Sequence, residues 1–208
     1  MARKMEEHKS LKGIFIPPLE MENLTIPIVG TSPLIVHNFS EKSKRQLAGI
    51  HNAGNKIKGK KEPRNPEEEF NAARYLTKAG EDGFPITAFK RAFLRGGKVH
   101  GMEMVTLAGL IFFHPDKGEE ESRLVTISCP KGPIMREDPV RVASGGTDLR
   151  YRPQYWPWSI NLRVSFDKSM LDIDQVYALL DRAGRSVGVG EWRPERKGDN
   201  GCFTIART

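Results

Sequence analysis

Residues 159–167 constrain the fold more than any other segment, because apolar and polar side chains alternate along them without a break. Ile160, Leu162 and Val164 would face one side of a β-strand, and the polar residues between them would face the other. Alternation with a period of two is typical of a strand with one buried face. The segment therefore predicts a β-strand in a sheet that is covered on one side.

Helices and further strands are predicted on both sides of this segment. Strands are predicted at 22–29, 105–113, 123–129 and 202–205, the first ended by Gly30 and placed at a sheet edge or a bulge by Pro27. Helices are predicted at 41–48, 65–80, 87–96 and 172–184, with Ser40, Asn65, Thr87 and Asp172 as their N-caps. Because helices fall between strands near both ends, the sequence predicts an α+β fold with a ferredoxin-like (RRM-like) β-α-β-β-α-β core and an antiparallel sheet.

A single domain is expected over residues 22–208, preceded by an N-terminal arm over residues 1–21. Residues 49–64 are rich in Lys and Gly and poor in apolar side chains, so a mobile basic loop is expected there. Residues 131–157 contain Pro, Gly and many arginines, with a hairpin turn expected at 144–147. The domain is thus expected to carry an inserted arginine-rich hairpin.

The charge balance is the first indication of function. The chain has 33 Lys and Arg against 26 Asp and Glu, a net charge of +7. This balance favours polyanion partners, above all nucleic acid, although it also serves solubility. No apolar run suits a membrane span, the N-terminus lacks the apolar core of a signal peptide, and Cys129 and Cys202 are too few for a disulfide scaffold or a four-ligand zinc site. We therefore expect a reduced, cytoplasmic protein with no metal, cofactor or membrane partner.

The C-terminal run 184–201 is rich in glycine and arginine and joins the last predicted helix to the last predicted strand. Gly188 and Gly190 would let backbone N–H groups turn outward to hold a phosphate. Trp192 would offer a face to a base. The alternative is a helix C-cap followed by a tight connection that binds nothing.

Two other segments carry cations in patterns that suit nucleic acid. Lys90 and Arg91 follow Thr87 in the first turn of a predicted helix, where cations oppose the helix dipole unless an anion binds; the alternative is the wet face of an amphipathic helix. In 134–158 arginines are interleaved with Tyr and Trp, as in a stacking and phosphate-binding surface; the alternative is that the aromatics cover the core, as expected for Trp158. The full set of predicted nucleic-acid-binding residues is Lys44, Arg45, Lys90, Arg91, Arg95, Arg136, Arg141, Arg150, Arg152, Arg185, Gly188, Gly190, Trp192, Arg193, Arg196 and Lys197.

Three segments, in order, resemble the RAMP superfamily, the RRM-like RNA-binding proteins of CRISPR systems. Residues 31–36 (TSPLIV) resemble the threonine-proline-leucine end of its first strand, 84–93 (FPITAFKRAF) its isoleucine-proline-glycine-serine-serine-leucine-lysine helix start, and 188–203 its C-terminal glycine-rich loop and last strand. The resemblance is to the backbone subunits that polymerise along a guide RNA, and it extends to phage-encoded relatives. It implies a ferredoxin-like core, single-stranded nucleic-acid binding with Lys90 and the glycine loop at the phosphate backbone, and residues 131–157 as the family's thumb.

The sequence thus predicts a non-catalytic protein that binds single-stranded RNA or DNA and self-associates along the strand into a filament or multi-subunit complex. The first alternative is a metal-independent endoribonuclease that uses His37, because some RAMP relatives cut RNA with a histidine near the end of the first strand, and histidine suits acid–base work near pH 7. His51, His100 and His114 show no metal-ligand spacing. The second alternative, a basic structural or adaptor protein that binds acidic partners, has only the net charge in its favour.

Overall fold

The structure is a computed structural model, and it describes residues 18–38, 64–141 and 145–206. The helix predicted at 41–48, with Lys44 and Arg45, lies outside the described residues. Most of the loop predicted at 49–64 and most of the arm predicted at 1–21 lie outside them as well.

Strands and helices alternate along the described residues. The strands are β1 (Met21–Gly30), β2 (Leu34–Ile35), β3 (Tyr75–Leu76), β4 (Asp82–Pro85), β5 (Ile111–His114), β6 (Leu124–Thr126), β7 (Ile134–Arg141), β8 (Thr147–Tyr155), β9 (Ser159–Asp167) and β10 (Phe203–Ile205). The helices are α1 (Pro66–Ala72), α2 (Ile86–Val99), α3 (Met104–Leu110) and α4 (Ile173–Ser186), with a 3₁₀ turn at Pro194–Arg196.

A four-stranded antiparallel sheet with the order β10-β1-β9-β5 organises the fold. The alternation predicted for β9 is present, since Ile160, Leu162, Val164 and Phe166 are all buried. The prediction of an α+β protein with antiparallel sheets is confirmed. Pro27 lies in β1, which has a neighbour on each side, and its carbonyl accepts a hydrogen bond from the Ala206 amide at 2.9 Å, just beyond the end of β10.

Helices α2 and α4 cover one face of this sheet. The Phe89 ring of α2 lies 5.5 Å from the Phe203 ring of β10, and the Phe93 ring lies 5.7 Å from the Phe113 ring of β5. Since β10 and β5 are opposite edges, α2 crosses the whole sheet. Helix α4 begins as predicted, because the Asp172 side chain accepts from the Gln175 amide at 2.7 Å in a capping box.

The sequence misplaced the ends of two helices. Thr87 is not an N-cap, because Pro85 holds that position at the start of α2 without a side-chain bond. Gly96 and Gly97 do not end α2, which runs on to Val99. These glycines serve packing instead: a Cβ on Gly97 would lie 2.5 Å from the Leu107 side chain. Helix α1 keeps its predicted start at Asn65 but ends at Ala72 rather than near Gly80.

The strand predicted at 105–113 is a helix over most of its length. Residues Met104–Leu110 form α3, and only the last part of the segment becomes β5. Of the α3 side chains only Leu107 is buried, and it packs against α2 at Gly97. This contact, made by the one buried side chain of the helix, cannot be seen in the local sequence pattern.

Two three-stranded sheets, β2-β8-β7 and β3-β4-β6, complete the fold. The Tyr155 hydroxyl at the end of β8 donates to Asp82 in β4 at 2.7 Å, which joins them. Burial, with the hydrogen bond to Asp82, raises the pKa of Tyr155, so this phenol stays a donor. β7 and β8 form an antiparallel hairpin within the segment predicted to carry one. Arg136 of this hairpin lines the groove described below.

Candidate nucleic-acid interface

An open groove of about 650 Å³ lies between the β7–β8 hairpin and the loop that follows α4. Three of the side chains that line it are cationic and one is an indole. The lining residues are Arg136, Trp192, Arg196, Lys197, Gly198, Asp199 and Asn200. The sequence predicted four of these seven, and the structure brings them together from two distant segments.

The loop folds back on Trp192, which places residues 196–200 around the indole. Trp192 and Lys197 both have left-handed backbone, with φ of 51° and 64°. The Asn200 amide donates to the Trp192 carbonyl at 3.0 Å, and the Gly198 amide donates to the Arg193 carbonyl at 3.1 Å. A Cβ on Gly198 would lie 1.9 Å from the Trp192 carbonyl oxygen, so this turn requires glycine.

Two hairpin arginines hold Trp192 in place. Arg136 and Arg152 lie directly opposite each other in the β7–β8 register, and both donate to the Asp138 carboxylate, at 2.8 Å and 2.7 Å. Their guanidinium carbons lie 5.0 Å and 4.9 Å from the Trp192 ring centroid. Cross-strand partners project from the same face of a hairpin, so this face of the hairpin meets the indole. Arg136 and Trp192 both line the groove.

Arg152 differs from the surface residue that the sequence predicted. It is completely buried and pairs with Asp138 and with Glu191, the latter at 3.4 Å. Glu191 belongs to the loop, so Arg152 ties the loop to the hairpin. Its position under the groove makes it a positioning residue rather than a group that a strand can reach.

The glycine loop does not present its amides as predicted. The Gly188 amide donates to the Ala183 carbonyl at 2.9 Å, and the Glu191 amide donates to the Ile35 carbonyl at 2.9 Å. A Cβ on Gly190 would lie 2.5 Å from that same Ile35 oxygen. Both glycines have positive φ, and Gly190 packs closely against β2. The Gly188 amide is not free as expected, whereas phosphate binding at the Gly190 amide stays a prediction.

Cations crowd behind the groove around Arg193. This guanidinium donates to Glu195 at 2.7 Å and to the Gly190 carbonyl at 2.9 Å. Burial, together with the nearby positive charges of Arg196 and Arg95, lowers the pKa of Arg193. Arg95 also pairs with Glu195. Like charges held this close repel one another, and a bound anion would relieve that repulsion.

Other predicted binding residues lie apart from the groove lining. Lys90 donates to the Ala108 carbonyl at 3.2 Å and lies 5.2 Å from the Phe112 ring centroid, so it joins α2 to α3 and β5. Burial and the charge of Arg123 lower the pKa of Lys90. Arg150 lies 3.8 Å from Asp148 in a partly exposed ion pair. The remaining members are exposed: Arg91, Arg141 and Arg185.

His37 follows β2 and is partly buried. Burial and the positive charge of Arg150 lower the pKa of His37. Its Nδ1 atom is buried and has no hydrogen-bond partner among the residues the structure describes. Within the same residues, no cluster of three or more His, Cys, Asp or Glu side chains suits a metal ion, and no helix is long and apolar enough to cross a membrane.

Sequence reasoning missed the polar end of the groove. Asp199 and Asn200 stand beside Trp192, and Asp138 organises the two arginines behind it. The Asp-Asn pair lies between Gly198 and Gly201, which is ordinary turn chemistry and gives no local sign of a binding role. Only the folding of this turn onto Trp192 makes the pair part of a site.

Comparisons with known proteins give a likeness of fold. No protein-family model matches the sequence, and no curated protein matches it significantly. Among solved structures, the fold is similar to the crystal structure of Cmr6 from Pyrococcus furiosus, with 11% sequence identity, coverage of 91% of this chain and 100% of that chain, and a TM-score of 0.43. The likeness is distant and concerns the fold alone, so it does not assign a function.

Proposed function

We propose that this protein binds single-stranded RNA or DNA in the groove beside Trp192. The observation that carries the proposal is the convergence of Arg136, Arg196 and Lys197 around an indole in one open groove. Cations beside an aromatic platform are what an unpaired strand needs, because the cations meet the phosphates while the ring stacks on a base.

The geometry favours an unpaired strand over a duplex. The bases of a duplex stack on one another, so a single half-buried indole in a groove has no base face to meet. In an unpaired strand each base has an accessible face. Arg196 and Lys197 are exposed, and they form no ion pair with any residue the structure describes, so both charges remain available to phosphates.

The finer assignment is a RAMP-like protein whose hairpin serves as a thumb. Six elements of the main layer occur along the chain in β-α-β-β-α-β order, with other elements between them: β1, α2, β5, β9, α4 and β10. This order supports a ferredoxin-like core. The β7–β8 hairpin is inserted between β6 and β9 and contributes Arg136 to the groove. We propose that copies of the protein associate side by side along a bound strand.

The test replaces Arg196 and Lys197 together by Ala and measures binding of a fluorescent 40-nucleotide single strand over a range of salt concentrations. Each phosphate contact to a single strand contributes about 0.7 to the slope of log K against log salt, so losing two lowers the slope by about 1.4. The matched control is the Lys117→Ala/Lys168→Ala double variant, which removes two exposed lysines outside the groove lining. If both double variants weaken single-strand binding equally, the strand does not bind in this groove and the proposal is wrong.

An RNA cleavage assay distinguishes the endoribonuclease alternative from simple binding. A binder leaves a labelled RNA intact, and His37→Ala retains the affinity of the wild type. Cleavage by the wild type in the presence of a chelator, lost in His37→Ala, would replace this proposal by the endoribonuclease.

A further inference from the structure

The groove contains a carboxylate that phosphate binding does not explain. Asp199 is exposed, lines the groove beside the three cations, and forms no ion pair or side-chain hydrogen bond with any described residue. A carboxylate facing a phosphate is repelled by it. On a surface that only gripped a phosphate chain, Asp199 would weaken binding.

The position of Asp199 beside Trp192 suits contact with the edge of a base rather than with a phosphate. The turn at residues 198–200 is fixed to Trp192 by the hydrogen bond from the Asn200 amide to the Trp192 carbonyl and by the absence of a Cβ on Gly198. Asp199 and Asn200 therefore border the indole, whereas Arg196 and Lys197 precede this turn. A base stacked on the part of Trp192 that lines the groove would present its edge within the same groove.

We infer that the groove selects an unpaired base that carries an exocyclic amine, such as cytosine or adenine, over one that lacks it, because Asp199 accepts a hydrogen bond from that amine with the Asn200 side chain beside it. The inference rests on the proposed function, since it names the base that the same groove takes. A carboxylate accepts from the N4 amine of cytosine, and an asparagine amide pairs with adenine. Uracil and thymine offer carbonyl oxygens in place of that amine, and these oxygens repel a carboxylate.

The groove is open and about 650 Å³ in volume. In the proposed arrangement one nucleotide lies there, with its base on Trp192 and its phosphate towards Arg196 and Lys197. Selection is then confined to one position of the strand, while the neighbouring nucleotides are held without preference through their phosphates.

The test compares oligo(rC) with oligo(rU) of equal length at pH 7.5, because cytosine and uracil differ little in size and differ in the group at position 4. We expect the wild type to bind oligo(rC) at least about fivefold more tightly, the low end of what one correct base contact contributes. Oligo(rA) against oligo(rI) repeats the comparison on purines, where the amine of adenine is replaced by the oxygen of hypoxanthine.

Asp199→Asn should bring both ratios close to one, because an amide can donate as well as accept. The control, Asp174→Asn, removes one exposed carboxylate from the first turn of α4, outside the groove lining, and should keep the wild-type ratios. Loss of a negative charge can tighten all binding, so the ratio, not the affinity, is the readout. Equal binding of oligo(rC) and oligo(rU) by the wild type, or an unchanged ratio in Asp199→Asn, overturns this inference alone. Failure to bind any of the four oligonucleotides overturns the proposed function with it.

Discussion

Asp138 is the residue on which the groove depends most, although it is not part of the groove. It is 3% exposed and receives hydrogen bonds from both Arg136 and Arg152. Arg152 is buried and reaches Glu191 of the loop, so the carboxylate fixes the two cations that contact Trp192. A buried ion pair adds little to stability against an apolar replacement, but breaking one side of it is costly.

We therefore expect Asp138→Ala to lower the free energy of unfolding by about 3–5 kcal/mol, because it leaves Arg152 buried with only the longer contact to Glu191. Urea denaturation followed by circular dichroism measures the change. The matched control is Asp148→Ala, which breaks the exposed ion pairs with Arg64 at 2.7 Å and with Arg150 at 3.8 Å and should cost no more than about 1 kcal/mol. Equal costs for the two variants would contradict the assigned role of Asp138.

At the scale of elements, the contact between α4 and β10 sets the position from which the loop departs. Gly184 lies in the last turns of α4 and is buried, and a Cβ there would lie 2.0 Å from the Phe203 carbonyl oxygen. Helix α4 can approach β10 this closely only because that side chain is missing. The loop that carries Trp192 begins directly after this helix.

Gly184→Ala is expected to destabilise the protein, although alanine favours a helix over glycine by about 1 kcal/mol. The clash with backbone oxygen outweighs that gain and pushes α4 away from β10. Gly109→Ala is the control within a helix, since a Cβ there meets nothing within 4 Å and should stabilise α3 by up to about 1 kcal/mol. Thermal unfolding should show opposite shifts for the two variants, and a stabilised Gly184→Ala would contradict the packing account.

The elements that the sequence predicted well are those with local causes. The apolar residues of β9 alternate with polar ones in the sequence and are all buried, and Asp172 and Asn65 cap α4 and α1 with their own side chains. The failures have distant causes. In α3 the one buried side chain, Leu107, packs against Gly97 of α2, and Gly190 is a glycine because it packs against Ile35.

The candidate site also has residues that the local sequence predicts and features that depend on distant contacts. Trp192, Arg196 and Lys197 stand close together in the sequence, and the predicted set of nucleic-acid-binding residues includes them together with Arg136 from a separate segment. The burial of Arg152, the internal hydrogen bonds of the glycine loop and the place of Asp199 all depend on how the loop meets the hairpin and β2. No local pattern records those contacts.

At the scale of the whole molecule, association along a strand is expected to depend on the length of that strand. Light scattering after size exclusion should give a mass of one copy with a 10-nucleotide strand and of several copies with a 40-nucleotide strand. Several copies are expected because a single groove of about 650 Å³ occupies only a small part of the longer strand. One copy on both lengths would leave binding intact and contradict assembly.

The central claim is that an unpaired strand lies in the groove beside Trp192, and ultraviolet cross-linking tests it most directly. The wild type is irradiated in complex with a mixed-sequence 40-nucleotide RNA, and the linked peptides are identified by mass spectrometry. The account predicts cross-links at Trp192 and at Lys197, and their loss when a large excess of unlabelled single strand, but not of duplex, is added. Cross-links confined to another surface, such as the exposed Phe112 on β5, or the absence of any cross-link, would contradict it.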